Sequence, residues 1–179
     1  MGSDAAFRFG RMMVRDRDDG SERPDSVDWL LLEHLQDDAR LSFAELGRRL
    51  GLSPPAVAER LRRLEQSGLV TGYGARVDRA RAGYPLSAFV RLRTSHGNDA
   101  AVEEWARSRP EVVECHQVTG EESYLLRLCA SSVRHLDALL SHLGTFGPTT
   151  STLVLRSPVE GKRLAMPADT SCPDRRSAG

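Results

Sequence analysis

The sequence predicts an α+β chain, a helical N-terminal unit followed by a ferredoxin-like β-α-β-β-α-β unit. Residues 25 to 68 carry only helical hydrophobic periods, and strand-type alternation begins at residue 69. Two helical periods are then interleaved with four strand-type runs in split βαβ order. The 179 residues, 40 % apolar and 28 % charged with a formal net charge of zero, suffice for one ordinary domain or two small ones.

The first helix follows the period Val27, Leu31, Leu35 and is capped by Asp25 or Ser26. Trp29 falls on its opposite side, either partly exposed or in an interface. A second helix opens at Ser42, where "SFAE" is a capping box: the Ser42 hydroxyl takes the Glu45 N–H and the Glu45 carboxylate reaches back. It is short and stops at Gly51, which suits the left-handed position ending a helix. The third helix is "SPPAVAERLRRLEQSG". Ser53 caps it, and Pro54 and Pro55 stand in its first turn, where N–H groups have no intrahelical partner. Val57, Leu61 and Leu64 form its buried face. "LVTGYGARVD" then alternates around glycines and reads as a strand or small hairpin, a wing on the helical unit.

In the second unit, "LSAFVRLRT" (86–94) sets Leu86, Ala88, Val90 and Leu92 on one face and Phe89, Arg91 and Arg93 on the other. "NDAAVEEWARSR" (98–109) is helical, capped by Asn98 or Asp99 and stopped by Pro110. "EVVECHQVTG" and "SYLLRLCA" form a hairpin across a short polar turn. "SSVRHLDALLSHLG" (131–144) is an amphipathic helix with Val133, Leu136, Leu139, Leu140 and Leu143 apolar and Gly144 as terminator. "STLVLRS" (151–157) supplies the last strand. Two helices cover one face of such a sheet, and a second copy of the sheet is the expected cover for the other.

These elements divide the chain into a polar N-terminal tail (1–24), a helix-turn-helix unit (25–72), a linker with strand (73–85), the βαββαβ unit (86–164) and a polar C-terminal tail (165–179). Met12 and Met13 are alternative starts to Met1. No run of about 18 apolar residues suggests a membrane span, and no secretory leader is expected. Cys115, Cys129 and Cys172 are odd in number and widely spaced, which suggests reduced thiols in a cytoplasmic protein.

Neutral overall, the chain conceals a local field. Between residues 40 and 64 there are six arginines against two acids, Glu45 and Glu59. A short second helix, a tight glycine turn and a basic third helix fit helix-turn-helix docking, with the third helix in the major groove of double-stranded DNA. Ser53, Pro54, Pro55, Ala58, Glu59 and Arg62 are the expected base-edge or groove-floor residues. Arg40, Arg48, Arg49, Arg60 and Arg63 are the expected phosphate contacts, since arginine forks onto phosphate. Arg60 has an alternative role inside the unit, bracing the three helices by pairing with an acid such as Asp38.

"SVDWLLLEHLQDDARLSFAELGRRLGLSPPAVAERLRRLEQSGLVTGYGARVD" resembles the N-terminal domain of the Lrp/AsnC (leucine-responsive/asparagine-type) transcriptional regulators. "ECHQVTGEESYLLRL" resembles the turn of that family's C-terminal effector domain, the RAM domain. The resemblance covers about residues 25 to 164. It implies a winged helix-turn-helix domain joined to a βαββαβ domain that dimerises through its sheets, with dimers often assembling into octamers. It also implies palindromic DNA sites, a small-molecule effector such as an amino acid, and no further cofactor. The effector pocket implied is lined by the turn Gly120, Glu121, Glu122, Ser123 and Tyr124, with Thr150 and Thr152 on the last strand as further candidates.

The turn departs from the family pattern, commonly Gly-Asp-x-Asp-Tyr in members that bind amino acids. Here Glu121 is the first acid and Ser123 replaces the second. A carboxylate there pairs with a ligand ammonium group, and a serine hydroxyl forfeits that charge. A non-standard effector, or none, is therefore expected.

Two rival readings are a ligand sensor without DNA binding and a sirohaem-decarboxylase-like enzyme. The arginines argue against the first. The second resemblance calls for histidines and arginines clustered along the strand before the turn, where this chain has only Cys115 and His116. His135 and His142 share a helix face without a third ligand spaced to make a metal site. No set of nucleophile, base and orienting group is legible, so no catalytic residue is expected.

Overall fold

The computed structural model describes residues 23–95 and 97–167. They fall into two compact units. Of the described residues, 23–74 and 162–167 belong to one and those between 75 and 161 to the other. The expected tails before residue 23 and after residue 167, with Met12, Met13 and Cys172, lie outside the described residues.

Three helices build the first unit: α1 (Ser26–Asp37), α2 (Phe43–Leu50) and α3 (Pro54–Gln66). Asp25, rather than Ser26, caps α1. It accepts the Asp28 N–H at 2.7 Å, and Asp28 accepts the Asp25 N–H at 3.1 Å. The core is Leu31, Leu35, Leu46, Val57, Leu61 and Leu64. Val27, expected in the stripe, is only half-buried, and Asp28 is buried beside it. An acid is tolerated there because its cap partner and an arginine satisfy it. Ser42 caps α2 by accepting the Glu45 N–H, but the Glu45 carboxylate does not reach back. It pairs instead with Arg48 and Arg49.

The expected wing is absent. Residues 71–78 adopt no strand, and the linker 73–85 holds none either; in its place a turn runs through residues 79–83. A strand is stable only with a paired neighbour, and none of the described residues pairs with this segment. It is held at Tyr73, whose hydroxyl donates to Glu65 at 2.7 Å. Partial desolvation of this half-exposed side chain first, and the Glu65 carboxylate second, push the Tyr73 hydroxyl up to about 12.

The second unit runs β1 (Leu86–Leu92), α4 (Asp99–Ser108), β2 (Val112–Gln117), β3 (Tyr124–Ala130), α5 (Val133–Gly144) and β4 (Thr149–Leu153). Its sheet is antiparallel in the order β2-β3-β1-β4. Alternation sends Ala88, Val90, Leu92, Tyr124, Leu126 and Leu128 into the core with Val102 and Trp105 of α4 and Leu139 and Leu143 of α5. Val133, expected on the apolar face of α5, is 73 % exposed. Strand β4 starts and ends earlier than expected. Val154 N–H still bonds the Ser87 carbonyl at 2.8 Å, but β1 then runs out of residues to pair. Gly144 ends α5 as its last helical residue, and Thr145 is the cap.

The other sheet face carries Phe89, Arg91, Arg127, Glu114, His116, Thr150 and Thr152. Across it the Arg127 guanidinium lies 5.7 Å from the Phe89 ring centroid and pairs with Glu114 and Glu160. Arg79 meets the same Glu160 at 2.5 Å. Those two guanidinium groups hold the Glu160 carboxyl below the usual carboxylate range.

Candidate nucleic-acid interface and effector turn

The N-terminus of α3 is built as the sequence suggests. Ser53 Oγ accepts the Ala56 N–H at 3.4 Å, with Pro54 and Pro55 in the first turn. The period of Val57, Leu61 and Leu64 turns Ser53, Pro54, Pro55, Glu59, Arg62 and Arg63 to solvent, and Ala58 is half-buried. Glu59 and Arg62 pair with each other, both more than half exposed. Such a surface pair is worth at most about 1 kcal/mol and opens readily for a stronger partner. Arg40, Arg48 and Arg49 are exposed, and Arg49 meets Glu45 at 2.7 Å.

Arg60 departs from the phosphate role. Its guanidinium is turned inward and lies 2.7 Å from both Asp25 and Asp28. This is the bracing role, with the N-terminal acids of α1 in place of Asp38. Asp38 instead accepts the Arg40 backbone N–H at 2.9 Å. The Asp28 N–H, with Arg60 next in effect, holds the Asp25 carboxyl below its ordinary range. A buried acid and a largely enclosed arginine thus tie the start of α1 to the middle of α3.

Gly47 is a structural determinant that sequence reasoning missed. Leu52 N–H bonds its carbonyl at 2.8 Å, and a Cβ at Gly47 would sit 2.5 Å from the Leu52 carbonyl oxygen. Gly51, in the left-handed conformation at φ 68°, makes the turn, and Gly47 lets α2 close onto it. The available signal was two glycines four residues apart in "GRRLG".

At the effector turn the predicted residues divide between the two faces of the sheet. Gly120 has φ 120°, and Val118 N–H bonds the Ser123 carbonyl at 3.0 Å. Glu121 is exposed, and Glu122 reaches Arg91 on the open sheet face at 3.8 Å. Thr150 pairs with Arg91 and Thr152 with Phe89, so both lie on that same face. Tyr124 points the other way. It is 2 % exposed in the core, with its hydroxyl 3.3 Å from Glu103. Burial, then the carboxylates of Asp99 and Glu103, push that hydroxyl above its ordinary range. A cavity of about 290 Å³ between α4 and β2 is lined by Tyr124, Glu103, Arg107, Cys115 and Gln117.

Ser123 is committed to its own fold. Its Oγ accepts the Thr94 N–H at 3.1 Å and lies 2.9 Å from the Thr94 hydroxyl. That hydroxyl donates to Asp99 at 2.9 Å. Its one proton goes to the carboxylate, so the Ser123 hydroxyl donates to Thr94. The Ser123 N–H also holds the Leu92 carbonyl, at 2.9 Å.

His116, His135 and His142 pair or stack with neighbouring side chains. His116 is exposed, 3.6 Å from Glu114. His142 stacks on Trp105 with centroids 5.5 Å apart. His135 joins Ser131 (3.0 Å) and Glu111 (3.3 Å), a triad-like set the sequence did not reveal. Its Nδ1 also accepts the Ser131 N–H, and its own N–H bonds Ser132 Oγ, so it serves the cap of α5. Among the described residues no cluster of three or more metal-ligating side chains occurs, and no helix is long and apolar enough to cross a membrane.

An exposed basic helix entered through a glycine turn, joined to a βαββαβ unit, defines a DNA-binding regulator with an appended sensing domain. Residues 25–65 match the family model of the AsnC-type helix-turn-helix domain, and residues 87–164 match that of the Lrp/AsnC ligand binding domain. The chain belongs to the Lrp/AsnC family of transcriptional regulators. It is 39 % identical over 142 residues to the HTH-type transcriptional regulator LrpA of Mycobacterium tuberculosis, covering 76 % of this chain and 93 % of the relative. The solved structure of Bacillus subtilis LrpC is similar with a TM-score of 0.75 at 28 % identity, over 79 % of this chain and all of LrpC. A feast or famine regulatory protein of M. tuberculosis, solved in complex with L-methionine, is similar with a TM-score of 0.73 at 36 % identity, over 80 % of this chain and all of that one.

Proposed function

We propose that this regulator, a cytoplasmic non-enzyme, reads a palindromic DNA site as a dimer joined through the open sheet faces, with dimers assembling further into octamers. Ser53, Pro54, Pro55, Ala58, Glu59 and Arg62 face the groove, and Arg40, Arg48, Arg49 and Arg63 face phosphates. Arg60 is withdrawn from that set. The reading rests on one observation: Arg60 is turned inward onto Asp25 and Asp28 while Arg62, two residues on, is exposed on the face it shares with Pro55 and Glu59. The helix-turn-helix domain is residues 25–72, and the effector domain begins at residue 86.

Duplexes selected from a random library by the full chain supply the test. Arg62→Ala is expected to weaken the selected site by about 1–3 kcal/mol and relax its sequence preference at one position. Wild-type affinity is expected to fall steeply with salt as counterions are released. An unchanged affinity and footprint would remove Arg62 from the base-reading set, and salt-independent retention would remove DNA from the reading.

The effector is a metabolite other than an ordinary α-amino acid. The support is Ser123, which brings no carboxylate and whose hydroxyl is spent on Thr94. Calorimetry with the standard amino acids checks this, and tight binding of any of them sinks it.

A further inference from the structure

We propose that the last turn of α1 is a docking site for the chain's own segment 162–165, and that this second attachment restrains the helix-turn-helix unit so that a dimer engages two half-sites together. The coupling rests on the reading above; the docking does not.

The grip is on backbone. Leu164 N–H donates to Gln36 Oε1 at 2.8 Å, and Gln36 Nε2 donates to the Leu164 carbonyl at 3.0 Å. One side-chain amide thus satisfies both polar groups of a residue 128 positions away, as a neighbouring strand would. The adjacent Arg163 pairs with Asp37. It does so at the C-terminal end of α1, where the helix dipole favours a cation. Backbone pairing alone tolerates a shift along the segment; the Arg163–Asp37 pair fixes the register. The Leu164 and Met166 side chains are largely exposed, so apolar burial is not what holds the segment. Two hydrogen bonds and an exposed ion pair favour the docked state by a factor of about ten to a hundred, a latch that still opens.

The chain passes between its two units twice, at Gly74–Ala75 and at Gly161–Lys162. A unit tethered at one point sweeps more space than one tethered at two, and the effective concentration at the second half-site falls accordingly. Undocking the segment leaves a single restraint.

Lys162 is the only lysine in the chain, so a lysine-specific endoprotease cuts it at one bond, Lys162–Arg163. The protease must take Arg163 and Leu164 in extended form, which requires the segment to leave α1. Full-length wild type is expected to be cut slowly, and Gln36→Leu about tenfold faster. Asp37→Ala, at an exposed position, is expected to give about a twofold acceleration and covers a failure of Gln36→Leu to fold. Equal rates in all three proteins overturn the docking. On DNA, Gln36→Leu is expected to lose about five- to tenfold on a selected duplex with two half-sites and to match wild type on a duplex with one. Equal losses on both duplexes, or none on the longer, overturn the coupling. A wild-type chain that binds neither duplex overturns the regulator reading and the coupling with it, whereas unequal protease rates establish the docking regardless.

Discussion

In the helix-turn-helix unit, apart from the Ser53 cap, the groups that hold the fold and the groups offered to solvent are different side chains. Asp25, Asp28, Arg60 and Gly47 fix the helices, while Arg62, Glu59 and the prolines stand outside. At the turn of the sheet unit the division fails. Ser123 occupies the position where a ligand-binding acid is expected, and its hydroxyl pins the end of β1 through Thr94. A DNA-reading surface can therefore change residue by residue without loss of fold, whereas a change of effector chemistry at residue 123 is also a change in packing.

The sharpest way to break that contrast is Gly47→Ala. Its Cβ would meet the Leu52 carbonyl oxygen at 2.5 Å, backbone that cannot move without opening the turn. A loss of about 3 kcal/mol or more is expected. Calorimetry should show the helical unit melting early and the sheet unit unchanged, with DNA binding lost through unfolding.

Arg60→Met comes next. It strands Asp28, whose side chain is 10 % exposed. Breaking a buried pair from one side costs about 3–5 kcal/mol, and partial solvent access at Arg60 reduces the expected loss to about 2 kcal/mol. Denaturant titration measures it. At concentrations where the variant is folded, its base preference should match wild type; a changed preference would mean that Arg60 also reads DNA.

Ser123→Ala should cost the sheet unit about 1–2 kcal/mol, because the Thr94 N–H loses its acceptor. Ser123→Asp keeps an acceptor but sets a second carboxylate against the Thr94 hydroxyl that already serves Asp99. If the pocket is otherwise intact it should create or strengthen amino-acid binding, which calorimetry reads directly. A gain of binding without loss of stability would show that fold and ligand chemistry separate here as well.

The smallest expected effect is that of pH. The folded-state pKa of Asp25 is depressed, chiefly by the Asp28 N–H and then by Arg60. Its contribution is therefore present above the unfolded value, near 3.8, and is lost as pH falls through the lower folded value. Melting of the helical unit from pH 6 down to pH 2 should show the decline, and Asp25→Asn should flatten it.

Much of this was legible because it is local. Ser42, Ser53, Gly51 and the proline pair signal helix ends from neighbouring residues, and the alternation of 86–94 placed β1 correctly. The misses involve either a distant partner or a competition between near ones. The wing failed because a strand needs a mate that none of the described residues supplies. Glu45 has a close cap within reach, yet two nearby arginines compete for it and win. Glu111 meets Ser131 and His135 only because the start of β2 is paired beside the end of β3, where Cys129 N–H holds the Glu111 carbonyl.

The sequence by itself determined the family, the order of the helices and of the sheet unit's strands, and the outward face of α3, since periodicity, caps and turn residues act within a few positions. Only the tertiary structure decided that Arg60 braces, that Gly47 admits Leu52, that Ser123 serves Thr94 and that Gln36 holds Leu164. Each of those is a contact between segments remote in the chain or folded back across a turn. A charge or an amide carries no mark of which partner it will meet until packing sets the distance.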